Sequence, residues 1–194
     1  MSVRMAGVEN MADSSTERFD TLVAPHLGTL FRVAYRLVRN TADAQDLGQD
    51  TCIAAWEHPA DVSAAQHPVR WLLRVQHNCF LDAARRRRRS PMVALEEVEG
   101  ALALPSEMPS PEELLQQADE ERALERPFLQ LEPMQRTLLV LRAEGHDLAG
   151  IEAITGIGRE VLRARLHRAR SSLAQRLTEQ TGAPPHAACA GSNS

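Results

Sequence analysis

Apolar residues recur at three- and four-residue spacing along most of the chain, which is the spacing of one face of an α-helix. The first such stripe begins at Phe19 and runs through Leu22, Leu30 and Leu37 to Val38, with arginines on the opposite face. No segment shows the strict apolar and polar alternation of a half-buried strand. The pattern therefore predicts an all-α protein.

Breaks in the pattern divide the N-terminal half into three helices. The second is predicted from about Thr41 to Trp56, with Thr41 or Asp43 as its cap, and it ends before Pro59 because proline disfavours helix in the preceding residue. A loop is expected to run from there to Pro68, where a third helix begins and continues into the arginine run 85–89.

The C-terminal half contains a shorter unit. A helix that opens at Pro133 ends at Gly145, Asp147 can cap a short helix that stops at Gly156, and a long basic helix begins near Arg159. A short helix, a glycine turn and a longer helix form a helix-turn-helix, whose second helix typically enters the major groove of DNA.

Composition and the positions of the prolines predict two small helical domains joined by an acidic linker. Between Pro91 and Arg126 the chain has ten acidic residues, two arginines and several prolines. The predicted boundaries are a disordered N-terminal segment (1–17), a first domain (18–90), the linker (91–122), a second domain (123–178) and a flexible tail (179–194).

Charge and composition narrow the function classes. The net charge is −4, yet all 22 basic residues are arginine, and they concentrate in 85–89 and 159–176. The apolar runs are too short for a membrane span and the start does not resemble a secretory signal, so we expect a cytoplasmic protein without membrane insertion. The three cysteines are far apart and predict neither disulfides nor a metal site, and we expect no cofactor and no enzymatic activity.

Three faces could bind partners. Asp43, Asp46 and Asp50 share one face of the second helix, which is either simply solvated or suited to a basic protein surface. Trp71 and Asn78 share a face of the third helix, where Trp71 can be core or a stacking platform for a separated DNA strand. The arginines of the last helix can hold phosphate or guanine, or form a solvated face.

Three sequence motifs follow one another along the chain. The first is Asp-Ala-Gln-Asp-Leu-Gly-Gln-Asp-Thr from Asp43, followed by Ala-Trp ending at Trp56. The second is Trp-Leu-x-Arg-Val-x-x-Asn-x-x-x-Asp-x-x-Arg, which runs from Trp71 to Arg85. The third runs from Gly156 through Arg-Leu-His-Arg-Ala-Arg. In this order and spacing, the three motifs resemble those of bacterial RNA polymerase sigma factors of the extracytoplasmic-function (ECF) type. The resemblance covers about Phe19 to Leu177.

This resemblance implies a role for each motif. The chain would bind core RNA polymerase, at the clamp helices of β′ and the flap of β, together with promoter DNA, and we expect an anti-sigma factor. The implied polymerase contacts are Asp43, Asp46, Leu47, Gln49, Asp50 and Trp56. The implied contacts to the −10 element, which is melted and read as single strand, are Val62, Trp71, Arg74, Asn78, Arg85 and Arg86. Those to the −35 element are Arg159, Arg163, Arg165, His167 and Arg168.

Some residues depart from the family pattern. Gly48 replaces an aliphatic residue in mid-helix, Val161 stands where threonine is usual, and Glu152 replaces a small residue in the first helix of the helix-turn-helix. The alternative function is a stand-alone helix-turn-helix regulator, although the N-terminal half lacks the alternating strands and helices of a sensor domain. A purely structural interaction protein is disfavoured by the arginine face.

Overall fold

A computed structural model describes residues 21–89 and 124–181, which form helices joined by short turns, with no strand among them. Residues 21–23 and 124–129 are also helical, and Ala24–His26 form a 3-10 turn. The main helices are α1 (Leu27–Val38), α2 (Thr41–Glu57), α3 (Pro59–Ala64), α4 (Pro68–Arg89), α5 (Pro133–Ala143), α6 (Leu148–Thr155) and α7 (Arg159–Thr181).

Helix α1 packs its apolar stripe into the core of the N-terminal half. Leu30, Val33 and Leu37 follow the predicted spacing and are buried against α2 and α4. The helix ends at Arg39, which adopts a left-handed conformation (φ 57°) and donates its N–H to the Tyr35 carbonyl at 2.7 Å. This turn redirects the chain into α2.

Helix α2 is capped by Asn40, so the prediction of Thr41 or Asp43 as the cap is wrong. Asn40 has extended backbone angles, and its side-chain oxygen accepts the Asp43 N–H at 3.0 Å. Only a residue just outside the helix can direct its side chain at the free N–H groups of the first turn, and here Asn40 holds that position.

The predicted loop between the second and third helices contains a helix, α3. Pro59 occupies its first turn, where the missing N–H of proline costs nothing. Val62 is 2% exposed and belongs to the core, so its apolar side chain holds the short helix in place. The proline that ends α2 therefore also begins α3.

Helix α4 crosses the core and fastens it to α1. Leu72, Leu73 and Phe80 are buried, and the buried Gln76 donates from Nε2 to the Leu30 carbonyl at 2.8 Å. A buried amide without this partner would be costly. The bond fixes the rotation of α4, and with it the residues that point outward.

The C-terminal half has the predicted helix-turn-helix. Asp147 caps α6 by accepting the Gly150 N–H at 2.8 Å, as predicted, and Gly156 ends α6 with φ 71°. Ile151 and Ile154 of α6 and Leu162 of α7 are buried, and the two helices pack against each other. Helix α7 continues to Thr181, three residues past the predicted end of the second domain.

The N-terminal half (residues 21–89) and the C-terminal half (residues 124–181) pack against each other. Helices α1 and α4 pack against α5, and α4 also packs against α6. His77 of α4 and Thr137 of α5 are buried at this boundary, with Nδ1 and Oγ1 3.3 Å apart, and burial, aided by Arg85, lowers the pKa of His77 to about 4. The predicted N-terminal segment (1–17), acidic linker (91–122) and most of the tail lie outside the described residues.

Two glycines test the helix assignments, one inside α2 and one at the end of α6. Gly48 lies within α2 and Gly156 ends α6 with positive φ, and a Cβ at either would meet nothing within 4 Å. We expect Gly48→Ala to raise the free energy of unfolding by about 0.5–1 kcal/mol, because alanine loses less entropy in a helix. Gly156→Ala should lower it by about 1 kcal/mol, because left-handed backbone strains a Cβ. Urea unfolding measures both, and loss of stability in Gly48→Ala would contradict the assignment.

Candidate protein and nucleic-acid interfaces

The acidic face of α2 points away from the core. Asp46, Gln49 and Asp50 are exposed, and Asp43 is half-buried beside Arg87, at 3.2 Å. Leu47 is 6% exposed and packs inward, and Thr51 bonds to the Leu47 carbonyl. The five predicted polymerase contacts from Asp43 to Asp50 thus comprise four polar side chains, three exposed and one half-buried, and one leucine that anchors the helix.

An apolar patch extends this face towards the end of α2. Ile53 is 58% exposed and Trp56 47% exposed. Ile53 lies between the Asp46–Asp50 stripe and Trp56 on the helix surface, at four- and three-residue spacing. Sequence reasoning missed Ile53, although its position, three residues after Asp50, was sufficient to place it there. Large exposed apolar side chains beside acids suit a protein partner.

A groove of about 470 Å³ lies between α2 and the C-terminal half. One wall contains Asp43, Asp46 and Asp50, and the other is formed by residues 129–133. Arg87 and Arg136 also line it. The C-terminal half therefore stands directly beside the acidic face.

Helix α4 presents a polar stripe on its outer side. Arg74, Asn78 and Arg85 are exposed at helical spacing, Arg86 is exposed beside them, and Trp71 is half-buried against the core. Trp71 thus contributes to packing while keeping part of its ring accessible. The stripe combines hydrogen-bonding groups, an aromatic ring and positive charge, which suits an unpaired nucleic-acid strand.

Helix α7 separates its apolar and basic residues. Leu162, Leu166 and Ala169 are buried, whereas Arg159, Arg163, His167 and Arg168 are exposed and Arg165 is half-buried. This outward basic face follows the glycine turn, as in a helix that enters the major groove.

Two acidic residues orient arginines of this basic face. Glu152 of α6 accepts from Arg159 Nε at 2.7 Å, and Glu160 accepts from Arg163 Nη1 at 3.0 Å. The Glu152 hydrogen bond and charge raise the pKa of Arg159. The departure at Glu152 therefore places a carboxylate at the start of the basic helix.

The described residues give no support for a reactive cysteine, a metal site or a membrane-spanning helix. Cys52 and Cys79 are half-buried, and burial raises the pKa of each thiol. Across residues 21–89 and 124–181, His, Cys, Asp and Glu side chains nowhere gather in a group of three suited to a metal ion. The same residues include no helix that combines the length and apolarity needed to cross a membrane.

Comparison of the chain with known proteins points to one family. Residues 22–90 match the family model of sigma-70 region 2. The chain is 34% identical over 164 residues to ECF RNA polymerase sigma factor SigE of Mycolicibacterium smegmatis, which covers 84% of this chain and 63% of that protein. It is 30% identical over 179 residues to ECF RNA polymerase sigma factor SigL of Mycobacterium tuberculosis, covering 91% and 97%.

The fold agrees with a solved sigma factor. The sigma factor RpoE from Bartonella quintana, co-crystallised with the anti-sigma factor NepR, matches with a TM-score of 0.60 and 24% identity, over 84% of this chain and 96% of that chain. The 30% identity to SigL extends over 91% of this chain, its N-terminal half included, which disfavours a stand-alone helix-turn-helix regulator with an unrelated N-terminal half. With the identity and coverage shared with SigL, the chain belongs to the ECF RNA polymerase sigma factors.

Proposed function

We propose that this chain directs core RNA polymerase to a subset of promoters, through one protein-binding and two DNA-binding surfaces. The observation that carries the proposal is the separation of charge: α2 presents an acidic and apolar face, whereas α7 presents a basic one. A protein that bridges a basic protein surface and DNA needs both.

The polymerase contact rests on α2. Cationic groups of the β′ clamp helices would pair with Asp46, Gln49 and Asp50, and Asp43 would lie at the edge of this contact. The apolar area of the contact would come from Ile53 and Trp56. Leu47 is buried and would contribute indirectly, by holding α2 in its position on the core. The flap of β would contact the C-terminal half.

The −10 contact rests on α4. Asn78 can hydrogen-bond a base edge, the accessible part of Trp71 can stack, and Arg74, Arg85 and Arg86 can hold the backbone. Val62 is buried and would position α3 beside this stripe rather than touch DNA. Melting is favoured because separated bases gain these contacts, which offset the few kcal/mol lost by unstacking.

The −35 contact rests on α7. Arg163 and Arg168 would reach base edges, with His167 and Arg165 beside them. Glu152 holds the Arg159 guanidinium near the start of α7, so Arg159 would enter the groove from a fixed position. A carboxylate there can also accept from cytosine N4, which would bias the promoter sequence.

The remaining expectations follow from the same assignment. The two domains (18–90 and 123–178) would serve the −10 and −35 elements, joined by the acidic linker. The protein would act in the cytoplasm, where promoters and polymerase are. RpoE was crystallised with an anti-sigma factor, and we propose that a protein of this class also holds this chain inactive.

The polymerase contact can be tested without knowing the promoter. Asp46→Asn with Asp50→Asn removes two exposed charges from α2 without changing side-chain size. We expect affinity for core polymerase to fall at least about tenfold, since charge pairs across an interface couple by about 1.5 kcal/mol or more. Fluorescence anisotropy of labelled chain measures the dissociation constant.

The matched control is Asp61→Asn with Asp82→Asn, which removes two exposed charges from α3 and α4, outside both proposed polymerase contacts. Its affinity should stay within about twofold of the parent, as expected for surface charges outside the contact. Equal weakening in both double variants would show that net charge, and not the α2 face, governs binding.

The −35 contact predicts a loss of sequence preference. Arg163→Ala should weaken binding of holoenzyme to its preferred duplex by about 5- to 150-fold, since a bidentate arginine–guanine pair contributes about 1–3 kcal/mol. The preferred duplex is first selected from a random library with the parent protein. Arg126→Ala, an exposed arginine outside α7, should bind normally. A uniform loss on all sequences would instead identify Arg163 as a phosphate contact.

A further inference from the structure

The first turn of α7 presents an apolar side chain to solvent among charged ones. Val161 is 47% exposed, and among the described residues of α7 it is the one large apolar side chain left this open, whereas Leu162 and Leu166 are buried. A β-branched residue on the surface of a helix also lowers helix stability relative to alanine. Val161 therefore serves neither the core nor the helix, and its side chain is available for a contact outside the chain.

Val161 belongs to a stripe on one side of α7. Ala164 and Arg168 follow it by three and seven residues, which is the spacing of neighbours on a helix surface, and both are exposed. Because the alanine side chain is short, Val161 is the projecting group at the N-terminal end of this stripe. Arg168 is part of the proposed −35 contact, so the stripe lies on the same surface.

The arginines of the first two turns lie on another side of α7, and each is held by a carboxylate. Glu152 accepts from Arg159 at 2.7 Å, and Glu160 accepts from Arg163 at 3.0 Å. These pairs fix the guanidinium groups away from Val161 and reduce the positive charge around it. Phosphate contacts depend on positive charge, so the uncharged end of the stripe suits a base edge instead.

The major groove of DNA offers a single kind of apolar group to such a side chain, the C5-methyl of thymine. Guanine, adenine and cytosine present hydrogen-bonding groups there. Valine cannot pair with these groups, so they would lose water without gaining a partner. Two methyl groups that meet both leave water, which is favourable. An apolar contact at this position therefore favours thymine over the other bases.

The place of Val161 along α7 suits a contact with bases. In a helix-turn-helix, the N-terminal residues of the second helix reach base edges in the major groove. Val161 is the third residue of α7, which runs from Arg159 to Thr181. An apolar side chain at this point lies at the end of the helix that enters deepest.

We propose that Val161, supported by Ala164, is a specificity-determining residue that contacts the C5-methyl of a thymine in the −35 element. The inference rests on the proposed sigma function, because the contact requires α7 to lie in promoter DNA. Arg163 and Arg168 supply the polar contacts to neighbouring bases, and Val161 selects thymine by excluding water from its methyl group.

Uracil tests this contact at the level of one chemical group, since it differs from thymine only in lacking the C5-methyl. The duplex selected from a random library with the parent holoenzyme is synthesised with uracil in place of each thymine in turn. Anisotropy of the labelled duplexes gives the affinity of holoenzymes that contain the parent, Val161→Ala or Leu27→Ala. Leu27 of α1 is 46% exposed and lies outside the proposed surfaces, so it is the matched apolar control.

At one thymine of the −35 element, or at two adjacent ones, uracil is expected to weaken binding by the parent about fourfold, the effect of returning one buried methyl group to water. Val161→Ala no longer distinguishes thymine from uracil there, whereas Leu27→Ala does so as the parent does. Val161→Thr keeps one of the two methyl groups and retains a preference of about twofold or more for thymine. Uracil in the −10 element changes the affinity of all these proteins equally.

Two results overturn the assignment of Val161: a selected −35 element without thymine, and a uracil effect that is the same in the parent and in Val161→Ala. Thermal unfolding adds a readout that a structural role would move. Val161→Ala is expected to be at least as stable as the parent, and a fall in its stability would assign Val161 to packing instead.

The proposed function can fail separately. If the parent holoenzyme enriches no duplex from the library, the sigma function is rejected and the thymine contact with it. If it enriches duplexes with two elements but responds to no uracil in the −35 element, the sigma function stands and only the role of Val161 is rejected.

Discussion

The burial of one face of α4 determines how the remaining surfaces are presented. Leu72 and Leu73 each contribute about 2 kcal/mol by leaving water, and the Gln76 bond to the Leu30 carbonyl fixes the rotation of the helix. With this face inward, Asn78 and Arg74 necessarily point outward. The same helix supports α1, α2 and α3 on one side and α5 and α6 on the other, so its orientation governs all three candidate surfaces.

Electrostatics divides the chain into surfaces of opposite sign. The overall charge of −4 conceals a basic α7 and an acidic α2. Where the two halves meet, the signs are reversed: Arg32 and Arg36 of α1, in the N-terminal half, face Glu144, which directly follows α5 in the C-terminal half. Opposite charges thus serve two purposes, attraction of external partners at exposed faces and closure of the molecule at the buried boundary.

Most helices and the helix-turn-helix were predictable because their signals are local. The spacing of apolar residues located α1, α2 and α4, and Asp147 was correctly predicted as a cap. The helix α3 and the Asn40 cap were missed because a proline or an asparagine can either end one helix or begin the next. Their roles depend on backbone angles that composition does not determine.

No local pattern in the sequence predicted the contact between the N-terminal and C-terminal halves. Glu144 lies 112 residues from Arg32 and 108 from Arg36, and no periodicity relates residues so far apart. A buried glutamate also resembles an exposed one in the sequence. The motifs predicted the faces for polymerase and DNA, whereas only the packing of the helices showed that Val62 is buried.

The central claim is that this chain gives core RNA polymerase a promoter preference that the core lacks. The most direct measurement is transcription in vitro from genomic DNA of the source organism, with core polymerase alone and with the added chain, followed by mapping of transcript 5′ ends. We expect new 5′ ends that share two sequence elements, near −10 and −35. The same set of 5′ ends with and without the chain would contradict the account.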